Sequence, residues 1–360
     1  MKKLQKVLIM AGGTGGHVYP GLAIAKRLQE RGVAVHWMGT RSSFESKTVP
    51  QTGLPMHYIA VGRLRGQGLL GRVAAPFRLG LAIIQALRII KRLQPDVIIG
   101  MGGFVSGPGG IAAWLLRKPL IVHEQNAKMG LTNKWLSRVA TRVLEGFPGT
   151  FPKQAKVITT GNPVRQEIAA MAAPTERMRG RKQPMHLLVL GGSLGAQALN
   201  TLVPSALQHL FLEERPDVLH QTGEKHSVAT QKAYDDLAVA SKVVPFIDDM
   251  QAAYTWADMV ICRAGALTIA ELCAAGVGAI LVPFPYAVDD HQTANAGYFV
   301  TNQAGFIRQE AELTEEDLAR LLKELINAPE KRVAMAEAAY ALRQTQATNK
   351  VLAICEEVCQ

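Results

Sequence analysis

The chain is poor in several things at once. Aromatic residues fill only 6% of its 360 positions, so a surface that stacks nucleic-acid bases on rings is a weak expectation despite a pI near 9.6. Cysteine occurs four times, as Cys262, Cys273, Cys355 and Cys359, with no C-x-x-C pair. Reduced thiols in a cytosolic protein fit that usage better than a disulfide frame. No G-x-x-x-x-G-K-[ST] segment occurs, and the dinucleotide turn G-x-G-x-x-G is not matched cleanly. A P-loop nucleotidase and a nicotinamide enzyme are both disfavoured. The acidic pairs Asp235-Asp236, Asp248-Asp249 and Asp289-Asp290 never form a D-x-D closing a strand. Hard cations want several converging oxygens, so these pairs read as loop and cap residues, and no metal is expected.

Membrane-spanning runs are also missing. Lys2, Lys3 and Lys6 precede VLIMA in the manner of a short signal peptide, but the apolar run enters GGTGGH at once and reads as a buried first strand. The uncharged stretch Val97–Leu116 is broken by six glycines and Pro108, which suits a strand, a glycine loop and a helix start. Acidic residues are scarce only at the front. Residues 1–160 hold 23 Lys and Arg against 5 Asp and Glu, a net of +18, whereas 161–360 hold 17 against 24, a net of −7. Two domains with different partners are implied.

What is present is a repeated rhythm. Short, nearly continuous apolar runs alternate with helical patterns: KVLIMAG (6–12), VAVHWMG (33–39), MHYIAVG (56–62), DVIIGMG (96–102), PLIVHE (119–124), TRVLEG (141–146) and KVITTG (156–161) in front, then HLLVLGG (186–192), DVLHQTG (217–223), KVVPF (242–246), DMVICRAG (258–265), AILVPF (279–284) and GFIR (305–308). Strands of this kind are buried on both faces of a parallel sheet. The rhythm predicts an α/β chain of two Rossmann-like doubly wound domains facing across a cleft, with the seam near GNPVR (161–165). Four glycine-rich turns follow strands, at Gly12–Gly16, Gly102–Gly110, Gly191–Gly195 and Arg263–Thr268. Each brings backbone close to a ligand and opens a helix N-terminus to an anion, so phosphates are the expected guests, although a lone turn of this sort is as often structural.

The segments AGGTGGHVYPGLAIA (11–25), MGGFVSGPGG (101–110), HEQNAKMGLTNKWL (123–136), TGNPVR (160–165), LGGSLGAQALN (190–200), CRAGALTIAELCAAG (262–276) and PFPYAVDDHQTANA (283–296) together resemble the MurG family over essentially the whole chain. These are the transferases that move N-acetylglucosamine from UDP-GlcNAc to lipid I, giving lipid II of bacterial peptidoglycan. The resemblance implies the GT-B fold, an inverting transfer and no cofactor. It implies an acceptor and membrane-associating domain over 1–162, a donor domain over 163–340, and a closing helix over 341–360 that returns to the front domain. It also implies lipid I and UDP-GlcNAc as partners, peripheral attachment to the anionic cytoplasmic leaflet of the inner membrane, contact with other wall-building and division proteins, and no nucleic acid. The family loop usually written GGYVSGPGG carries Phe104 here, so a phenolic role is not available.

The resemblance assigns the residues as follows. His17 is the candidate base toward the acceptor C4 hydroxyl, unless it only hydrogen-bonds the acceptor diphosphate; a helix N-terminus disfavours imidazolium, and neutral imidazole is what a base requires. Glu124 is the rival base, or else a buried carboxylate holding the HEQN turn. Thr14, Gly15 and Gly16 line the same place, and Gly102, Gly103, Phe104 and Ser106 form the second acceptor loop. For the donor, Asn126 meets the sugar unless it only makes an Asx turn, and Arg165 meets the diphosphate unless it is a surface ion pair. Ser193 bonds the diphosphate, Ile247 meets uracil through its backbone, and Ala266, Leu267, Thr268, Ile269 and Ala270 offer a helix N-terminus. Glu271, expected on that helix's first turn, accepts from the ribose hydroxyls, and Gln292, after His291, contacts the sugar. In segment 68–94, Leu69, Leu70, Val73, Phe77, Leu81 and Ile84 recur at helical spacing beside Arg72, Arg78, Arg88, Lys91 and Arg92. With Arg63, Arg65, Trp114, Lys134 and Arg138 they form a candidate membrane patch, the alternative being an ordinary core helix. Competing readings are another UDP-sugar enzyme of the same fold (a lipid glucosyltransferase or an epimerase), and a Rossmann oxidoreductase or nucleotide sensor.

Overall fold

A computed structural model describes residues 3–61, 69–181, 183–192 and 195–359. The chain divides into two compact units, Met1–Val164 with Gln346–Gln360, and Arg165–Thr345. In the first unit the strands are β1 (Lys6–Ala11), β2 (Ala34–Gly39), β3 (Met56–Tyr58), β4 (Val97–Gly102), β5 (Leu120–Glu124), β6 (Arg142–Glu145) and β7 (Val157–Thr159). They form one parallel sheet in the order β3-β2-β1-β4-β5-β6-β7. In the second unit β8 (His186–Leu190), β9 (Asp217–Gln221), β10 (Ser241–Val244), β11 (Met259–Cys262), β12 (Gly278–Leu281) and β13 (Gly305–Ile307) follow the order β10-β9-β8-β11-β12-β13, again parallel. Every expected apolar run overlaps one of these strands. The runs are continuous because helices cover both faces: the central strands β4, β5, β11 and β12 are buried at every position.

Strand order reverses between β1 and β4 in one sheet and between β8 and β11 in the other. Ligands of doubly wound sheets bind outside the carboxyl ends of the strands at such reversals. The four glycine turns are the segments that leave β1, β4, β8 and β11, so each unit has two of them at its own reversal point.

Core packing explains which helices are fixed. On one face of the first sheet, Ile24 and Leu28 of helix Gly15–Glu30 share a core with Val7, Ile9, Val351, Leu352 and Cys355. The last three come from helix Ala347–Val358, which is also held by ion pairs from Arg31 to Glu356 and from Arg142 to Glu357. The preceding helix, Pro329–Ala341, packs in the second unit, with Met335 in its core, and the chain rejoins the first unit at Gln346. On the opposite face of the first sheet, Ala82, Ala86 and Ile90 of helix Leu69–Leu93 pack against Leu8, Met10 and Ile98. All four cysteines are buried and free.

Candidate active site

In the first unit the two glycine turns lie against each other. After β1 the chain turns through Gly12 and Gly13, the latter at φ +96°, and Thr14 becomes the N-cap of helix Gly15–Glu30. The Thr14 side chain makes no capping bond; its hydroxyl stands 3.4 Å from Nδ1 of His17. The second turn runs through Gly102 and Gly103 at φ +105° and +79°. A Cβ on Gly102 would fall 2.9 Å from Nε2 of His17, and one on Gly103 only 2.2 Å from the carbonyl oxygen of Gly12. Only glycine permits that approach. The Ser106 hydroxyl accepts from the Gly102 N–H at 3.0 Å and stands 3.1 Å from the Met10 carbonyl, tying β1 to the second turn. The Phe104 ring lies 3.6 Å from where a Gly13 Cβ would be. The structure therefore gathers Thr14, His17, Gly102, Gly103, Phe104 and Ser106, with Gly15 and Gly16 opening the helix. Gly13 departs from the anion-binding expectation, because its N–H already donates to Glu45 Oε2 at 3.0 Å.

The HEQN segment ends β5 and is a closed hydrogen-bonded unit. Glu124 is 2% exposed. Its Oε1 accepts from the Asn126 N–H at 3.0 Å and Nδ2 at 3.1 Å, and its Oε2 accepts from the Gly130 N–H and from Asn133 Nδ2, both at 2.9 Å. A carboxylate meeting four donors has its lone pairs committed, which fits holding the turn better than taking a proton. Asn126 donates to Glu124 through its Nδ2, and the next helix starts at Leu131 with Gly130 as its N-cap. Beside it His123 is wholly buried; its Nε2–H donates to the Gly161 carbonyl at 3.1 Å, and Nδ1 accepts from Gln125 Nε2 at 3.1 Å. Asn162 Nδ2 donates to the Gln125 carbonyl at 2.9 Å, so TGNP is clamped onto HEQN.

Burial lowers the His123 pKa from 6.5 to about 4, against the opposing Gly161 hydrogen bond and Glu124 charge. The unfolded chain then binds the extra proton first as pH falls. Stability should be full above about pH 6.5 and decline toward pH 4, by about 3 kcal/mol for this group alone. Urea unfolding at a series of pH values is expected to show the decline, and His123→Gln to flatten it; an equal decline in both proteins would contradict the assignment.

In the second unit, Ser193 of the third turn lies outside the described residues, and its neighbour Gly195 packs so closely that a Cβ would stand 2.2 Å from the Thr222 carbonyl. The fourth turn ends in Gly265, the N-cap of helix Ala266–Ala275. Ala266, Leu267 and Thr268 form the first turn of that helix instead of preceding it. Ile269 is buried in the core, which leaves only its backbone for a ligand, and Ala270 is half-buried. Glu271 lies on the second turn, one turn later than expected, because the helix begins at Ala266. Its Oε1 accepts from Arg165 Nη2 at 3.0 Å and its Oε2 from the Tyr254 hydroxyl at 3.2 Å. Arg165 is thus an ion-pair partner of Glu271 here. Burial raises the Glu271 pKa, opposed by Arg165 and by the Tyr254 hydrogen bond.

Two further loops complete this half. Gln292, at the start of helix His291–Thr301, accepts from the Phe284 N–H through Oε1 at 2.9 Å and so holds the PFPY loop. Arg263 donates to the Val282 and Pro283 carbonyls, both at 3.2 Å, and pairs with Glu310. Half-buried Ile247 sits between β10 and helix Met250–Trp256, beside exposed Phe246. Of the acidic pairs, Asp249 caps that helix by accepting from the Ala252 N–H at 2.8 Å, and Asp236 pairs with Lys232. Among the described residues a group that could jointly hold an ion is His209 with Glu315 and Glu316, at an exposed helix start away from every glycine turn in sequence.

The glycosyltransferase family 28 N-terminal domain matches residues 7–145 and the family 28 C-terminal domain matches residues 186–352. The chain belongs to glycosyltransferase family 28. It is 51% identical over 353 residues to the UDP-N-acetylglucosamine–N-acetylmuramyl-(pentapeptide) pyrophosphoryl-undecaprenol N-acetylglucosamine transferase of Marinobacter nauticus, covering 98% of this chain and 97% of that one. The enzyme of the same name from Nitrosococcus oceani is 52% identical, with 98% of both chains covered. The crystal structure of Acinetobacter baumannii MurG superposes with a TM-score of 0.87 at 42% identity, covering 98% of this chain and 99% of that one. The two doubly wound domains are those of the GT-B class.

This family 28 chain also exposes apolar surface that its sheets do not need. Phe77 is 80% exposed, and Leu81, Ile84 and Trp114 are near half, next to exposed Arg78. The side chains of Arg72 and Val73, and all of Arg63 and Arg65, lie outside the described residues. The core of helix Leu69–Leu93 is made by Ala82, Ala86 and Ile90, so the larger apolar side chains are free to face out. Helices Ser106–Leu115 and Leu131–Leu136 pack in succession beside it and add Leu115, Leu131 and Trp135 to the exposed set, with Arg138 stacked 4.2 Å over Trp135. No helix among the described residues is long and apolar enough to cross a membrane. Sequence reading missed Trp135, Glu45, Asn133 and Tyr254. Trp135 lay within a quoted motif and was legible as an apolar residue beside Lys134 and Arg138; the other three show their roles only through their partners.

Proposed function

We propose that the chain transfers N-acetylglucosamine from UDP-GlcNAc to the C4 hydroxyl of the N-acetylmuramyl sugar of lipid I, with inversion, giving lipid II and UDP. The observation that carries the substrates is the 51% identity over 98% of the chain to a transferase of that name. The chemistry rests on His17. With Nδ1–H turned to the Thr14 hydroxyl, Nε2 takes the acceptor proton. The acceptor oxygen then bonds to the anomeric carbon as the bond from that carbon to the UDP oxygen breaks. Glu124 holds the loop that presents Asn126 to the donor sugar. Glu271 accepts from the ribose hydroxyls, the N–H groups at the start of helix Ala266–Ala275 meet the phosphates, and Arg165 offsets the charge on departing UDP. Ser193, Ile247 and Gln292 complete the donor contacts. The reading calls for no resident cofactor. NMR of the product from UDP-GlcNAc and a lipid I analogue is expected to show an inverted linkage at C4; a retained one would contradict it.

The N-terminal unit rests on the cytoplasmic face of an anionic membrane through Phe77, Leu81, Ile84, Trp114 and Trp135 and the cations around them. Exposed apolar side chains with cations such as Arg78 and Arg138 among them are what such a leaflet binds, each cation adding about 1 kcal/mol. Flotation with anionic vesicles should recover the chain at low salt and less of it at high salt. No recovery at low salt would refute peripheral attachment.

Donor binding should depend on pH through Glu271. The carboxylate must be ionised to accept from ribose, and burial makes it protonate earlier than an exposed glutamate as pH falls. As pH falls, UDP binding is therefore expected to weaken sooner than it would with an exposed glutamate in that place. Tyr254→Phe removes a donor to the carboxylate and should move that loss to still higher pH. Calorimetry of UDP binding between about pH 4.5 and 7.5 checks both; coincident profiles would remove Tyr254 from the role.

A further inference from the structure

Glu45 is a fully buried carboxylate that the transfer chemistry leaves without a task. It lies under the first glycine turn. Its Oε2 accepts from the Gly13 N–H at 3.0 Å, and its Oε1 accepts from the Thr40 N–H at 2.9 Å and from the Thr40 hydroxyl at 2.9 Å. Two glycines clear the space it occupies. A Cβ on Gly12 would stand 2.7 Å from Oε1, and a Cβ on Gly39 would stand 2.8 Å from Cγ. Burying a carboxylate is costly unless its oxygens are met by donors, and here they are met by donors from β2's end and from the turn after β1. The side chain thus fastens the Gly12–Gly13 turn to the edge of the neighbouring strand, while Gly103 presses on the Gly12 carbonyl.

That turn decides where the imidazole stands. Gly13 is at φ +96°, a conformation L side chains rarely adopt, and the next residue, Thr14, occupies the N-cap position with its hydroxyl near Nδ1 of His17. A rotation of the Gly12–Gly13 peptide would therefore carry Thr14 and His17 off the second turn. We propose that Glu45 is a positioning residue for His17, holding the turn that sets the imidazole against Gly102. The proposal rests on the reading of His17 as proton acceptor.

Three substitutions test it, each assayed for transfer kinetics, UDP binding and thermal midpoint. Glu45→Ala removes both acceptors, and Glu45→Gln keeps the shape but leaves one backbone N–H unmet. Thr40→Val keeps the Gly13 bond and removes only the hydroxyl. Displacement of a reacting group by about 1 Å costs up to about a hundredfold, so kcat should fall at least tenfold in both Glu45 variants, with the Kd for UDP within about twofold. Thr40→Val should lower the thermal midpoint while keeping kcat within about twofold. If Thr40→Val matches the Glu45 variants in both kcat and midpoint, Glu45 is a stabilising residue only and the proposal fails. Undiminished kcat in both Glu45 variants, beside a His17→Ala that has lost it, overturns this inference alone. Undiminished kcat in His17→Ala overturns it together with the reading beneath it.

Discussion

Replacing His17 with alanine is expected to lower kcat for sugar transfer by about 10²- to 10³-fold, while the Kd for UDP stays within about twofold. The magnitude follows from what a positioned base contributes when it removes a proton in the transition state. The selectivity follows from the fold: His17 belongs to the first unit, whereas Glu271, Arg165 and helix Ala266–Ala275 belong to the second. A histidine that only touched the acceptor would instead raise the acceptor KM and spare kcat. Glu124 gives the control. Its four hydrogen bonds organise the turn from Asn126 to Asn133, so Glu124→Gln should lower stability as well as turnover. Steady-state kinetics at saturating lipid I analogue distinguish these outcomes; a His17→Ala protein with unchanged kcat would remove the imidazole from the chemistry.

Glu271→Ala should act in the opposite sense, raising the Kd for UDP about a hundredfold with little effect on any acceptor affinity. Hydrogen bonds to a charged partner contribute about 1.5–3 kcal/mol each, and the ribose offers two hydroxyls. Part of the loss is offset because the substitution also removes the ion pair that Arg165 must give up to reach the diphosphate. The diagnostic readout is discrimination. The unsubstituted protein should prefer UDP to its 2′-deoxy counterpart, and Glu271→Ala should lose most of that preference. Equal preference in both proteins would place the ribose elsewhere.

The fold was legible to a high degree because its signal is local and repeated. Strands buried on both faces read as unbroken apolar runs, and glycine turns mark their ends, so the alternation from Lys6 to Ile307 could be followed without tertiary information. Helix starts were less legible: nothing in CRAGALTIAE says whether the first turn begins before or after Ala266, and Glu271 was displaced by a turn in consequence. Motif residues such as His17 and Glu124 stood out, but not their relative standing, which depends on how many donors reach each side chain. Glu45 was invisible for a related reason. It lies in an undistinguished segment, SSFESK, and its partners Gly13 and Thr40 come from two other parts of the chain. Arg165 and Glu271 were both singled out for separate ligand contacts; their pairing across 106 positions of sequence was not readable. The +18 of the front half gains a location, since exposed Phe77, Trp114 and Trp135 stand among its cations.

Transfer from competing labelled donors tests the central claim most directly. Label from UDP-GlcNAc should pass to a lipid I analogue at a rate at least about tenfold above that from UDP-glucose, as expected of a site that hydrogen-bonds groups the wrong sugar lacks. Label that stays with the nucleotide, or that passes from UDP-glucose at least as fast, would contradict the account.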